Sequence, residues 1–298
     1  MSGYVLSCCS TCDMSEEWHK RRNVACVYFN YELDGEPCKD DYGATHAPAE
    51  LYARMLAGAE AKTSQVSVGE YMSAWRPMLE QGKDILHVTV SSGISGTYSS
   101  ACTARNELAA EFPERTIIVI DSLAASSGYG MLVDRMADLR DEGMDMNTLA
   151  AWAEAHKLEV QHWFFSTDLT FFIRGGRISK AAGFFGGLLS ICPVMTVEAD
   201  GKLGVREKIR TKRKAIARSF ELMGQLAQGG AGYSDKVFIS NSECLDDARA
   251  LGNLIEPAFP KMDGRVEYYP IGATIGTHTG PGTVALFFWG APRTEFRA

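Results

Sequence analysis

Three stretches of the chain gather hydroxyls, glycines and an imidazole in patterns that could hold an anion. The first is Ser91-Ser92-Gly93-Ile94-Ser95-Gly96-Thr97, set between the apolar run Asp84 to Val90 and an alanine-rich segment that starts at Tyr98. A turn from strand into helix aims backbone N–H groups and hydroxyls at one spot, which suits a carboxylate or another polar head group. This turn is therefore the expected ligand site. Thr63-Ser64-Gln65-Val66-Ser67 and Gly276-Thr277-His278-Thr279-Gly280-Pro281-Gly282 have the same character. Taken singly, each has an ordinary explanation, because serine in such a turn is commonly a helix cap and a histidine in a glycine-rich loop is commonly a surface residue.

Other chemistries fit less well. Gly93-Ile94-Ser95-Gly96 approaches a nucleophile elbow, but that motif needs glycine at position 97, where this chain has threonine. Neither glycine-rich nucleotide fingerprint occurs at a strand end. The chain has eight cysteines, and Cys9-x-x-Cys12 with His19 nearby invites a zinc or redox reading. A four-ligand zinc site wants a second spaced pair, and Cys26 and Cys38 are too far apart to supply it. The expectation is small thiols in a turn, with no metal and no catalytic residue.

The elements that must position these stretches fall into two kinds. In the first half, apolar runs at Val24 to Tyr28, Ile85 to Val90 and Thr116 to Ile120 alternate with helical patterns at Pro48 to Leu56, Val68 to Gln81, Tyr98 to Phe112 and Ser127 to Glu142. This alternation predicts a parallel sheet covered on both faces, an α/β/α sandwich whose ligands sit beyond the carboxyl ends of the strands. Asp121, at one such end, is expected to accept backbone hydrogen bonds. In the second half, strands are predicted at His162 to Thr167, Pro193 to Glu198, Leu203 to Lys208, Val237 to Asn241, Val266 to Ile271 and Thr283 to Trp289. Helices are predicted at Lys212 to Leu226 and Leu245 to Ala258. The turn Ala199-Asp200-Gly201-Lys202 makes a hairpin, so this is a mixed α/β sheet of about six strands. We place the domains at 1–157 and 158–298, with the ligand site at their junction.

At 298 residues and 46% hydrophobic composition the chain can bury two cores. Its beginning lacks a basic segment followed by a long apolar run, so a cytoplasmic location with reduced cysteines is expected. The most apolar stretch, Ala181 to Val197, is broken by three glycines, Ser190, Pro193 and Thr196. It reads as interior or lipid-lining rather than as a membrane span. The net charge of −7 hides a segment, Lys202 to Arg218, with eight basic residues and a single acid. Such a ridge could meet an acidic partner or, transiently, an anionic membrane surface. Nucleic acid is not expected, because the chain is acidic overall and no aromatics interleave the lysines.

Read together and in order, the motifs resemble the DegV family of bacterial fatty-acid-binding proteins over nearly the whole chain. They are T-S-Q-x-S at Thr63 to Ser67, S-S-x-x-S-G-T-Y-x-S-A at Ser91 to Ala101, V-I-D-S at Val119 to Ser122, G-G-R-I-S at Gly175 to Ser179 and I-G-T-H-T-G-P-G at Ile275 to Gly282. The family's opening T-D-S-T-A-D departs here to Cys8-Cys9-Ser10-Thr11-Cys12-Asp13, with Cys9 in place of the first acid. The resemblance implies a carrier, not an enzyme, that buries one palmitate-, stearate- or oleate-like fatty acid and presents its carboxyl group to a fatty-acid kinase for acyl-phosphate formation and phospholipid synthesis. It implies no cofactor.

Carried onto this chain, the carboxylate contacts are Thr63, Ser95 and His278, with Ser64, Gly96 and Arg177 in support. Phe171, Phe184, Phe185, Leu188, Leu189 and Ile191, interleaved with glycines, would line the tail tunnel. Burying a tail of about fourteen methylenes at about 0.8 kcal/mol each is worth on the order of 11 kcal/mol, provided donors replace the water lost by the carboxylate.

Overall fold

The computed structural model describes residues 3–178 and 191–293. The first half runs β1 (Tyr4–Cys9), α1 (Glu16–Arg22), β2 (Ala25–Val27), β3 (Asn30–Leu33), β4 (Glu36–Lys39), α2 (Pro48–Leu56), β5 (Ala61–Ser64), α3 (Val68–Glu80), β6 (Asp84–Thr89), α4 (Thr97–Glu111), β7 (Ile117–Asp121), α5 (Ser126–Asp141) and α6 (Met146–His156). The remainder is β8 (Val160–Ser166), α7 (Thr170–Arg174), β9 (Val194–Val197), β10 (Leu203–Glu207), α8 (Lys212–Leu226), β11 (Phe238–Asn241), α9 (Leu245–Ala258), β12 (Glu267–Pro270), α10 (Ala273–Thr279) and β13 (Thr283–Trp289).

The two large sheets are of the kinds the residue patterns predict, with one central strand, β1, that they did not mark. One is four-stranded, in the order β2-β1-β6-β7, and every pairing in it is parallel. Its central strands are buried on both faces, which is why their sequences are nearly continuous in apolar residues. The other has six strands in the order β10-β9-β8-β13-β11-β12, antiparallel except for β11 with β12. The predicted hairpin is β9–β10, closed at Asp200-Gly201. Helix starts follow local chemistry, as in α3, where Ser67 and Glu70 form a reciprocal capping box, and α6, where Asp145 accepts from Asn147 and Thr148 N–H.

A third sheet, antiparallel with the order β4-β3-β5, is absent from the sequence expectation. Its hairpin turns on Asp34-Gly35, both at positive φ, a two-residue turn that matches strand twist. This sheet matters because it carries Thr63, which pairs with Tyr31. The helices α1 and α6 were also not expected. Helix α5 is buried along most of its length and packs on β8, β11 and β13 of the six-stranded sheet. Among the described residues no helix is long and apolar enough to cross a membrane.

Candidate functional site

Beyond the carboxyl end of β6 the chain makes the Ser91 turn, and side chains tie this turn to both halves of the molecule. Asp121 accepts from Ser92 N–H at 3.0 Å and Leu123 N–H at 3.1 Å, as its place at a strand end predicts. Ser91 donates to the carbonyl of Gly201, in the β9–β10 turn, at 2.8 Å. Ser95 accepts from Thr97 N–H at 3.3 Å, so part of its role is the turn bond expected of a serine before a helix, and its O–H has no acceptor among the described residues.

His278 lies on the seven-residue helix α10 rather than in a loop. Threonines, isoleucine and a glycine make Ala273–Thr279 a poor helix by propensity. Two buried carboxylates offset this. Asp13 accepts from Gly272 N–H at 3.0 Å, and Asp40 accepts from Ala273 and Thr274 N–H at 3.1 and 3.3 Å. Both therefore satisfy the unpaired N–H groups at the helix start. Burial pushes Asp13 well above the ordinary carboxyl range, against the pull of Ser126 (Oγ at 2.5 Å), and Asp40 is raised for the same reason. The helix ends at Gly280, where φ is +65° and a Cβ would lie 2.1 Å from the Phe171 ring, so glycine is required there.

Thr63 Oγ1 and His278 Nε2 share a hydrogen bond of 2.7 Å. Behind the imidazole, Gly175 approaches so closely that a Cβ would stand 2.2 Å from Nδ1, and that buried nitrogen has no partner among the described residues. Burial, and then repulsion from the Arg177 guanidinium, lower the His278 pKa to about 4, so the ring is neutral at pH 7. Arg177 donates to the carbonyls of Ile94 at 3.2 Å and Gly175 at 2.6 Å, and among the described residues it has no carboxylate partner. It thus braces the Ser91 turn against the turn after α7 while leaving a positive charge beside His278.

Thr63, Ser95, Gly96, Arg177 and His278 all line one cavity of about 240 Å³. Its walls are otherwise largely apolar, with Phe29, Val90 and Ile94 from the first half and Phe164, Phe172 and Phe287 from the second. The sequence expectation needs correcting at several supporting positions. Ser64 points away from the cavity, since neighbours on a strand face opposite ways, and donates to Asn30 O. Phe171 packs instead against Tyr31, Leu51 and Tyr52, while its neighbour Phe172 lines the cavity. Ile191 is not among the lining residues, and Phe184, Phe185, Leu188 and Leu189 lie outside the described residues.

Gln65 and Thr11 were not anticipated as lining residues. Gln65 bonds Ser100 at 2.8 Å and so ties its motif to α4; Thr11 lends a buried hydroxyl with no partner among the described residues. Both belong to motifs already singled out, but only the fold shows which side chains turn inward.

Two large sheets enclosing a cavity lined by the motifs of three separate segments define a class of α/β ligand-binding proteins, and comparison with known proteins specifies it. The family model described as "Uncharacterised protein, DegV family COG1307" matches residues 9–290, and the chain belongs to the DegV family. A DegV domain-containing protein of Clostridium perfringens is 32% identical over 291 residues, covering 97% of this chain and 98% of its own. A Thermus thermophilus DegV family protein, whose solved structure concerns fatty acid binding, superposes with a TM-score of 0.84 at 29% identity, covering 96% of this chain and 99% of its own. A fatty acid binding DegV family protein of Streptococcus agalactiae gives 0.82 at 26% identity, covering 96% and 98%.

Proposed function

We propose that this protein is a non-enzymatic, cytoplasmic carrier of one long-chain fatty acid, with the tail in the cavity between the two large sheets and the carboxylate at Thr63, Ser95 and His278. The observation that carries the reading is the Thr63–His278 pair lining the same largely apolar cavity as Ser95, whose O–H has no acceptor among the described residues. A carboxylate bound there accepts from the Ser95 O–H and, by displacing the Thr63–His278 bond of the ligand-free protein, from the Thr63 O–H and the His278 Nε2–H, with the Arg177 charge nearby. Its negative charge also opposes the effect of Arg177 and favours the imidazolium, which strengthens the bond. The relatives from Thermus thermophilus and Streptococcus agalactiae, described as fatty acid binding, support the ligand class. His278 bonds Thr63 rather than Ser95 among the described contacts, an arrangement that favours holding an anion over activating a serine.

We further assign residues 1–157 and 158–298 to two domains with the ligand at their junction, and a fatty-acid kinase as the partner that receives the presented carboxyl group. Replacing Ser95 or His278 with alanine leaves a buried carboxylate short of a donor, at a cost of about 1–3 kcal/mol, or roughly five- to hundredfold in affinity. Calorimetric titration with palmitate or oleate tests this. Equal affinity of both variants and the wild type would refute the head-group assignment.

A further inference from the structure

We propose that Cys8, Cys12 and His19 form a buried site for a thiophilic divalent cation of the zinc class. Their ligand atoms all lie within 4.8 Å of one another, with Cys8 Sγ to Cys12 Sγ at 3.8 Å and Cys12 Sγ to His19 Nε2 at 3.4 Å. A tetrahedral zinc bound at about 2.3 Å to sulfur and about 2.0–2.1 Å to nitrogen requires edges of about 3.8 Å between sulfurs and about 3.6 Å between sulfur and nitrogen. Both observed edges agree with this geometry.

The surroundings also suit a metal. All three residues are buried, as in a closed structural site. His19 Nδ1 stands 3.1 Å from the Val24 carbonyl, so Nδ1–H donates there and Nε2 is left to bind through its lone pair. Cys26, the register partner of Cys8 across β1 and β2, shares its face, but its sulfur is not among the atoms that lie within 4.8 Å of one another, so the protein supplies three ligands. A cleft lined by His19, Cys26 and Tyr42 gives access from solvent. Binding forms two metal–sulfur bonds and one metal–nitrogen bond and releases the two thiol protons of Cys8 and Cys12 to solvent, with no oxidant needed.

Cys9, the cysteine of the apparent Cys9-x-x-Cys12 pair, is not part of this group. Its sulfur faces Tyr71 at 3.2 Å and His87 at 3.5 Å. The cation would instead clamp the segment that carries Thr11 into the cavity, Ser10 onto Asp40, and Asp13 onto the start of α10.

Titration of the reduced, full-length protein with cobalt(II) tests the proposal. We expect saturation at one equivalent, a thiolate-to-cobalt charge-transfer band with tetrahedral d–d bands, and displacement by zinc. Zinc should also raise the melting temperature and protect Cys8 and Cys12 from alkylation. Cys12→Ser and His19→Ala should weaken binding by more than about a hundredfold, beyond the usual effect of losing a supporting hydrogen bond, whereas Cys9→Ala should keep the bands. Alkylation of the wild type gives the answer even if a variant fails to fold. No charge-transfer band together with unprotected Cys8 and Cys12, unchanged binding in His19→Ala, or a Cys8–Cys12 disulfide in place of metal would overturn the assignment.

Discussion

His278 has two faces, one bonded to Thr63 and one pressed against Gly175 with its nitrogen unpartnered among the described residues. In the ligand-free protein its lowered pKa links charge to stability. An unfolded histidine titrates at about 6.5, while the buried ring holds off the proton until about pH 4. The folded state therefore binds fewer protons than the unfolded state in that window. The contribution of His278 is complete above pH 6.5 and is lost as pH falls toward 4. Denaturant melts of lipid-free protein should show a stability loss across this range that His278→Gln diminishes; an identical pH profile in the variant would contradict a histidine origin for the loss. The residue types were legible in the sequence, since Thr63, Ser95 and His278 all stand in recognisable motifs. The Thr63–His278 bond was not, because it joins residues 215 positions apart.

At the scale of elements, α10 shows how tertiary contacts override local preference. Its sequence reads as a loop, and it is helical where Asp13 and Asp40 from the first half supply the acceptors. Asp40→Ala removes acceptors from Ala273, Thr274 and Ser10 and should cost about 1–3 kcal/mol of stability, with weaker ligand binding because His278 loses its support. Chemical denaturation checks the first effect and lipid titration the second; a variant as stable as the wild type would mean that the carboxylate does not hold the helix. Helices such as α2, α8 and α9, and the strands of the two large sheets other than β1, could be read from pattern alone. The β3–β4 hairpin carried a readable signal in Asp34-Gly35, but the pairing of β5 with β3 is a distant contact that no local pattern encodes.

Across the whole molecule, the basic segment changes meaning once neighbours are seen. Arg206 pairs with Glu198, Lys212 with Asp247 at 2.7 Å, and Arg218 with Glu207 at 2.8 Å, while Lys202 meets Asp200 at 2.9 Å. Arg210, Arg213 and Lys214 have no ion pair among the described residues. The charge free to attract an acidic surface, such as one on the proposed kinase, is therefore concentrated around the start of α8. Reversing these three to glutamate should slow kinase-dependent phosphorylation of the bound acid, most at low salt, and leave lipid affinity unchanged. Unaltered phosphorylation at low ionic strength would remove the ridge from the partner surface. Partners elsewhere in the chain were invisible to a count of charges along the sequence.

A fatty acid held in the cavity is the proposal on which the carrier function rests. Tail burial on the order of 11 kcal/mol exceeds the several kcal/mol needed to desolvate and pair a carboxylate, so the ligand should survive purification. Mass spectrometry of the denatured, solvent-extracted protein is the direct measurement. Close to one equivalent of fatty acid is expected, chiefly of sixteen or eighteen carbons, and an extract without fatty acid from a protein that also fails to bind added palmitate or oleate would refute the carrier function.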